Sequence, residues 1–147
     1  MPRHTETRVL PYTPDEVFAL VADVERYPEF LPWCLAARVT RREEGTLWAD
    51  MTVGYRLIRE RFSSKVALEP PHAVRVEYLG GPLRHLSNRW AFAPAPGGGC
   101  TVEFCIDFAF ANPLLQRLAG AFFAQAFTRM VRAFEARARA LYGPRAA

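Results

Sequence analysis

"TVEFCIDFAFANPLLQRL", residues 101–118, changes its period halfway along, and that change decides the architecture of the chain. Up to Phe110 the apolar residues alternate. Val102, Phe104, Ile106, Phe108 and Phe110 fall on one side of an extended strand, with Glu103 and Asp107 on the other. Asn112 then offers an N-cap and Pro113 a first-turn proline. Beyond them the spacing is helical: Leu115, Leu118, Phe122, Ala126, Met130, Phe134 and Leu141 recur on one face. Leu114, Phe123, Phe127 and Val131 widen that face, and Gly143 and Pro144 end it. A half-buried strand therefore runs straight into an amphipathic helix of about 30 residues, roughly 45 Å long.

Reading backwards, period two persists to Leu35. Expected strands are Ala36–Glu43, Leu47–Tyr55, Leu57–Glu69, Ala73–Leu79, Leu86–Ala93 and Thr101–Phe110. Glu44–Gly45, Pro70–Pro71 and "APAPGGG" at 93–99 supply turns, and the gaps are too short for helical crossovers, so the strands pair antiparallel. Upstream, Thr5–Leu10 reads as another strand. Thr13 and Glu16 form a capping box with Pro14 at the first helical position, opening a helix that fades near Asp23. "DVERYPEFLPWC", residues 23–34, interleaves Tyr27, Phe30 and Trp33 with Pro28 and Pro32, and a second short helix is expected over Glu25–Phe30.

The order strand, two short helices, six strands, long helix implies an α+β fold of one domain over residues 1–147. A curved antiparallel sheet of about seven strands wraps around the long C-terminal helix, the only element long enough to cover its inner face. Space can remain between helix and sheet, entered past the short helices. Two polar residues fall on otherwise apolar strand faces: Glu60 beside Ile58, Phe62 and Val66, and Asn88 beside Leu86, Trp90 and Phe92. Each either pairs with a neighbour or lines a cavity and orients a ligand's polar head, because a buried unpaired polar group costs a few kcal/mol. The many inward rings, with Tyr78 on the same side of its strand, are read either as core or as the wall of an apolar cavity.

Half the residues are apolar and 23% are charged, a globular composition. No apolar run approaches the roughly 20 residues of a membrane-spanning helix, and "MPRHTETRVL" lacks signal-peptide character, so a cytoplasmic protein is expected. Cys34, Cys100 and Cys105 show no CxxC spacing, and His4, His72 and His85 no metal-ligand spacing; free thiols and no metal are expected. No phosphate-binding loop or nucleophile elbow occurs, and nothing in the spacing supports catalysis or a catalytic cofactor. The net charge is +4, and residues 113–147 hold six arginines against Glu135 alone. That basic helix is either a solvated face or a surface attracted to anionic membrane or RNA.

"YPEFLPWC" (27–34), "LIRERFSSKVAL" (57–68), "GPLRHLSNRWAF" (81–92) and "VEFCIDFAFANPLL" (102–115), in this order, resemble the coenzyme Q-binding START-domain family of the Bet v 1-like, helix-grip superfamily. The bacterial branch is similar to ribosome-association toxins and is often described as polyketide cyclase or dehydrase-like. The resemblance spans about residues 3–142; Leu83 departs from the phenylalanine usual after that Gly-Pro. It implies non-catalytic binding of ubiquinone or another polyprenyl lipid, held as ligand and not as cofactor, in support of respiration. It also implies a location that extends to the inner-membrane surface, and no DNA partner. Pro28 and Pro32 would stiffen a lid whose Phe30, Leu31 and Trp33 face lipid. The expected ligand-binding set is Phe30, Leu31, Pro32 and Trp33 at the mouth, Tyr55, Glu60, Phe62, Tyr78, Asn88, Trp90, Phe104 and Phe108 on the sheet, and Phe122, Phe123 and Phe127 on the helix. The alternatives implied are a toxin-like protein that binds the large ribosomal subunit and blocks 70S association, or a cyclase or dehydrase using Glu60.

Overall fold

The computed structural model describes residues 3–31, 33–55, 58–81 and 83–144, with backbone alone for Tyr55, Ile58, Leu115 and residues 118–124. Strand β1 (Arg3–Leu10) leads into α1 (Pro14–Ala22) and a 3-10 helix (Val24–Glu29). Strands β2 (Cys34–Glu43), β3 (Thr46–Tyr55), β4 (Ile58–Glu69), β5 (Ala73–Gly80), β6 (Leu83–Pro94) and β7 (Cys100–Phe110) follow, and α2 (Pro113–Tyr142) closes the chain. All strands pair antiparallel in one sheet of order β1-β7-β6-β5-β4-β3-β2. β2 to β7 thus form a continuous meander. Because β1 sits at one edge and β2 at the other, the chain between them must cross the whole sheet, and α1 with the 3-10 helix makes that crossing. This is the helix-grip arrangement that the resemblance implies.

The helix starts follow from their caps. Glu16 N donates to Thr13 Oγ1 at 3.1 Å and Thr13 N to Glu16 Oε1 at 3.0 Å, so both halves of the capping box are made. At α2, Leu114 N donates to Asn112 Oδ1 at 2.8 Å. Gly143 takes φ +82°, and its N–H returns to the Arg139 carbonyl at 2.9 Å, ending α2 in the left-handed conformation that glycine adopts without steric penalty. The far end of α2 is pinned down by Tyr12 Oη donating to the Gly143 carbonyl (2.8 Å) and Tyr142 Oη to the Glu16 carbonyl (3.0 Å).

The predicted strand faces hold: Val102, Phe104 and Ile106 are buried and Glu103 is exposed, and likewise Val74 is buried while Arg75 and Glu77 are exposed. Several boundaries differ by one to three residues, and for three elements the structure shows a local reason. β6 begins at Leu83 and not Leu86, because a register shift between Leu83 and His85 breaks the alternation that would have revealed it. β2 begins at Cys34, with a similar shift before Ala36. The second short helix is 3-10, with Arg26 N bonded to the Asp23 carbonyl and Phe30 N to the Tyr27 carbonyl; Pro28 lies inside it and has no N–H to lose. Among the described residues no helix is long and apolar enough to cross a membrane.

Candidate functional site

The space between sheet and α2 has two unlike ends. At the end where α2 finishes, packing is tight. Trp90 lies 4.6 Å from Phe104 and 4.9 Å from Phe134, ring centroid to centroid, and all three are 5% exposed or less. Leu47, Val66, Val74 and Val102 complete that layer. A void of about 20 Å³ remains there between Arg8, Leu10, Val21, Trp90, Val131 and Phe134. That is room for about one water and excludes a lipid.

Where α2 begins, the same inner rows stay only half-buried: Met51 and Val53 of β3, Glu60 and Phe62 of β4, Val76 and Tyr78 of β5, Leu86 of β6, and Phe108 and Phe110 of β7. The registers bring them together, with Met51 opposite Phe62, Val53 opposite Glu60 and Leu86 opposite Phe108. Here the sheet offers an apolar wall that the protein itself only partly covers.

The segment after the 3-10 helix borders this space, running from Phe134 and Arg137 on the packed half of α2 to the end of β3 beside the half-covered wall. Phe30 sits edge-on to Phe134 at 5.1 Å and to Tyr27 at 5.9 Å, and the Arg137 guanidinium lies 5.2 Å above its ring. Arg137 also reaches Glu29 Oε1 at 3.0 Å, and Arg26 reaches Glu29 Oε2 at 2.9 Å. These two hydrogen-bonded guanidinium groups hold the Glu29 carboxyl below its ordinary range. Tyr27 Oη donates to the Val21 carbonyl, and burial pushes its ionisation far up. Gly54 N donates to the Trp33 carbonyl at 2.8 Å, tying the segment to the end of β3. The border is thus latched to α2 on one side and to β3 on the other.

Several expected ligand residues need correction. Leu31 does not face outward: its N–H returns to the Tyr27 carbonyl at 2.9 Å, which rolls the side chain inward, and it is 2% exposed. Trp90 and Phe104 belong to the solid end and are core, not wall. Asn88 does not project a free amide, since its Nδ2 donates to the Cys105 carbonyl at 3.0 Å. That satisfied pairing is the first of the two readings the sequence left open. Phe30, Trp33, Glu60, Phe62, Tyr78, Phe108 and Phe127 are half-buried. Of these, Glu60, Phe62, Tyr78 and Phe108 line the half-covered wall. Tyr78 Oη accepts from Leu83 N at 3.0 Å. Pro32 and the side chains of Tyr55, Phe122 and Phe123 lie outside the described residues.

The sequence reading missed one feature altogether. On β1 it is His4, Glu6 and Arg8 that face inward, while Val9 points out and is 60% exposed. His4 Nε2 lies 3.2 Å from Glu6 Oε2, Arg8 reaches Glu6 Oε1 at 3.1 Å, and Arg8 reaches Glu135 Oε1 on α2 at 3.1 Å. The His4 ring stacks on Phe127 at 6.0 Å. A polar chain therefore joins the edge strand to α2. The alternating polar residues of "RHTETR" carry no hydrophobic signal for it; only the pairing of β1 with β7 shows which side faces α2. Cys34 and His85 are far from a nucleophile–base arrangement. Burial pushes the Cys34 thiol up to about 11 at one sheet edge, while His85 Nε2 sits 3.0 Å from Asp107 on the outer face of β6 and β7.

This geometry has known relatives. A protein family described as polyketide cyclase / dehydrase and lipid transport matches residues 10–135. The chain is 35% identical over 144 residues to "Coenzyme Q-binding protein COQ10 homolog B, mitochondrial" of Xenopus laevis, covering 95% of this chain and 59% of that protein. It thus spans under two thirds of that relative's length. It is 37% identical over 135 residues to "Ribosome association toxin RatA" of Pseudomonas aeruginosa, covering 92% of this chain and 94% of the relative. Among solved structures, the 18 kDa protein CC1736 of Caulobacter crescentus superposes with a TM-score of 0.79 at 39% identity, over 98% of this chain and all (100%) of that one. On the match across residues 10–135 and the 37% identical relative of which it covers 94%, the chain belongs to the polyketide cyclase / dehydrase and lipid transport family.

Proposed function

We propose that this protein binds ubiquinone or a related polyprenyl lipid against the half-covered wall of β3 to β7, as a non-catalytic carrier or chaperone supporting respiratory electron transport. The observation that carries the reading is the contrast between the two ends. One is packed solid around Trp90, Phe104 and Phe134, and the other leaves Phe62, Tyr78, Leu86 and Phe108 half-buried under the start of α2. Apolar wall left accessible in this way gains about 25 cal/mol per Å² when hydrocarbon covers it. Glu60 and the Tyr78 hydroxyl stand within that wall and suit a quinone's polar ring edge, while the flat apolar rows suit prenyl units. The name of the Xenopus laevis relative agrees with such a ligand.

The wall can hold the ring and a few prenyl units, and the rest of a long tail stays outside. Protein from a quinone-free host, titrated with ubiquinone analogues of increasing prenyl number and followed by tryptophan fluorescence, should bind more tightly with each early unit and then level off. Affinity independent of tail length would overturn the reading.

A second reading is favoured by one observation, the near-complete two-way coverage of the ribosome-association toxin. It assigns the chain to the large ribosomal subunit. Sucrose-gradient profiles after overexpression test it: a loss of 70S particles supports it, and an unchanged profile removes it.

A further inference from the structure

The outward face of α2 is a cationic track with an apolar tip. Arg117, Arg129, Arg132 and Arg139 are exposed, and none of them pairs with an acid among the described residues. The acid within α2, Glu135, stands five turns after Arg117 at one edge of this face and is paired with Arg8, and Arg137 is occupied by Glu29. At 3.6 residues per turn the four free arginines fall within an arc of roughly 120° and extend along about 33 Å of helix. Leu114, 62% exposed, lies on the same arc, five turns before Arg132. It marks the end of α2 that adjoins Phe110 and the half-covered wall, where Phe110 N donates to Gln116 Oε1 at 2.6 Å.

We infer that this face docks the protein on an anionic phospholipid surface, with the arginines over the headgroups and Leu114 in the acyl boundary, so that the half-covered wall opens toward the bilayer. The inference rests on the lipid-binding reading above and supplies its route of loading. Four guanidinium groups along one face, unpaired among the described residues, are complementary to a polyanion. A ribosomal RNA backbone would satisfy the charges, but it gives no return for an exposed leucine set among them, whereas partition into a membrane interface does. The position of that leucine, at the ligand end and not at the packed end, is what a loading surface requires.

Vesicle flotation tests this with the full chain. Wild type should float with phosphatidylcholine vesicles containing phosphatidylglycerol, release as salt rises, and ignore vesicles of phosphatidylcholine alone. R129Q/R132Q should bind the anionic vesicles about twenty-five-fold more weakly, near fivefold per arginine. L114S should weaken binding while leaving the salt dependence unchanged. Both variants lie on solvent-facing positions, and their melting temperatures serve as the folding control. Absence of vesicle binding, or equal binding by R129Q/R132Q, overturns the inference. So does loss of large-subunit co-sedimentation in R129Q/R132Q with vesicle binding intact, which would give the arginines to RNA. The tail-length titration in solution is independent: if it succeeds while flotation fails, the docking surface falls and the lipid site stands.

Discussion

The contrast between a packed and a half-covered end makes a quantitative demand on two phenylalanines of similar sequence context. Phe104 on β7 is 2% exposed and touches Trp90 at 4.6 Å, Phe127 at 6.0 Å and His4 at 6.4 Å. Phe62 on β4 is half-buried, with the Tyr78 ring 6.4 Å away. Phe104→Ala removes a ring from an enclosed site, losing both transfer free energy and the contacts of the surrounding rings, and should destabilise by about 3–5 kcal/mol. Phe62→Ala removes a ring that solvent already reaches. It leaves no enclosed void and should cost about 1–2 kcal/mol. The gap of about 2 kcal/mol corresponds to about 1 M between the urea midpoints at a slope near 2 kcal/mol/M. The same Phe62→Ala protein should lose affinity for the short-tailed quinone analogue, because the ring it lacks is wall. Equal destabilisation by the two substitutions would mean that the end near Phe62 is as solid as the other, and the ligand site would have no place in the fold.

Three further outcomes follow from local geometry. With the Cys34 thiol pushed up to about 11 by burial, only about one molecule in a thousand carries the thiolate at pH 8, and Cys100 is raised as well. An aromatic disulfide reagent should therefore titrate one thiol of the native protein, the half-exposed Cys105, and reach the other two only on unfolding; rapid reaction of two or more refutes this. The Glu29 carboxyl is lowered in the folded state, so the latch it forms with Arg26 and Arg137 is complete above its unfolded value of about 4.3 and is lost as pH falls through the lowered value. Amide exchange at Leu31, corrected for intrinsic rate, should accelerate in that window, and Glu29→Gln should abolish the pH dependence. Gly97 and Gly99 both have positive φ, but a Cβ at Gly97 meets open space while one at Gly99 would stand 2.3 Å from the Leu10 carbonyl oxygen. Gly97→Ala should cost about 1 kcal/mol and Gly99→Ala at least about 2 kcal/mol more, by thermal or urea unfolding. Similar values for both would show that the Leu10 backbone yields freely.

Much of the fold was legible because its signals are local. Alternation in Val102 to Phe110 and in Val74 to Tyr78 reports which side of a strand is buried, wherever the strand ends up. The Thr13–Glu16 box and Asn112 define helix starts from within four residues. Legibility fails where a residue's role depends on a distant partner. Leu31 and Phe30 look alike as apolar residues between prolines, yet one is core and the other stacks beneath Arg137. Asn88 among apolar neighbours looks like a ligand contact until the Cys105 carbonyl arrives from the next strand.

The sequence by itself determined the order of elements, the inner faces of β4 to β7, the long closing helix and the concentration of arginine on it. Tertiary structure alone decided that β1 pairs with β7 and turns His4, Glu6 and Arg8 toward α2, and that Trp90, Phe104 and Phe134 pack one end solid while the other stays half-covered. The reason is range. Periodicity and caps are set by neighbours along the chain, whereas the space left between a helix and a curved sheet is the remainder after every side chain from both surfaces has been placed.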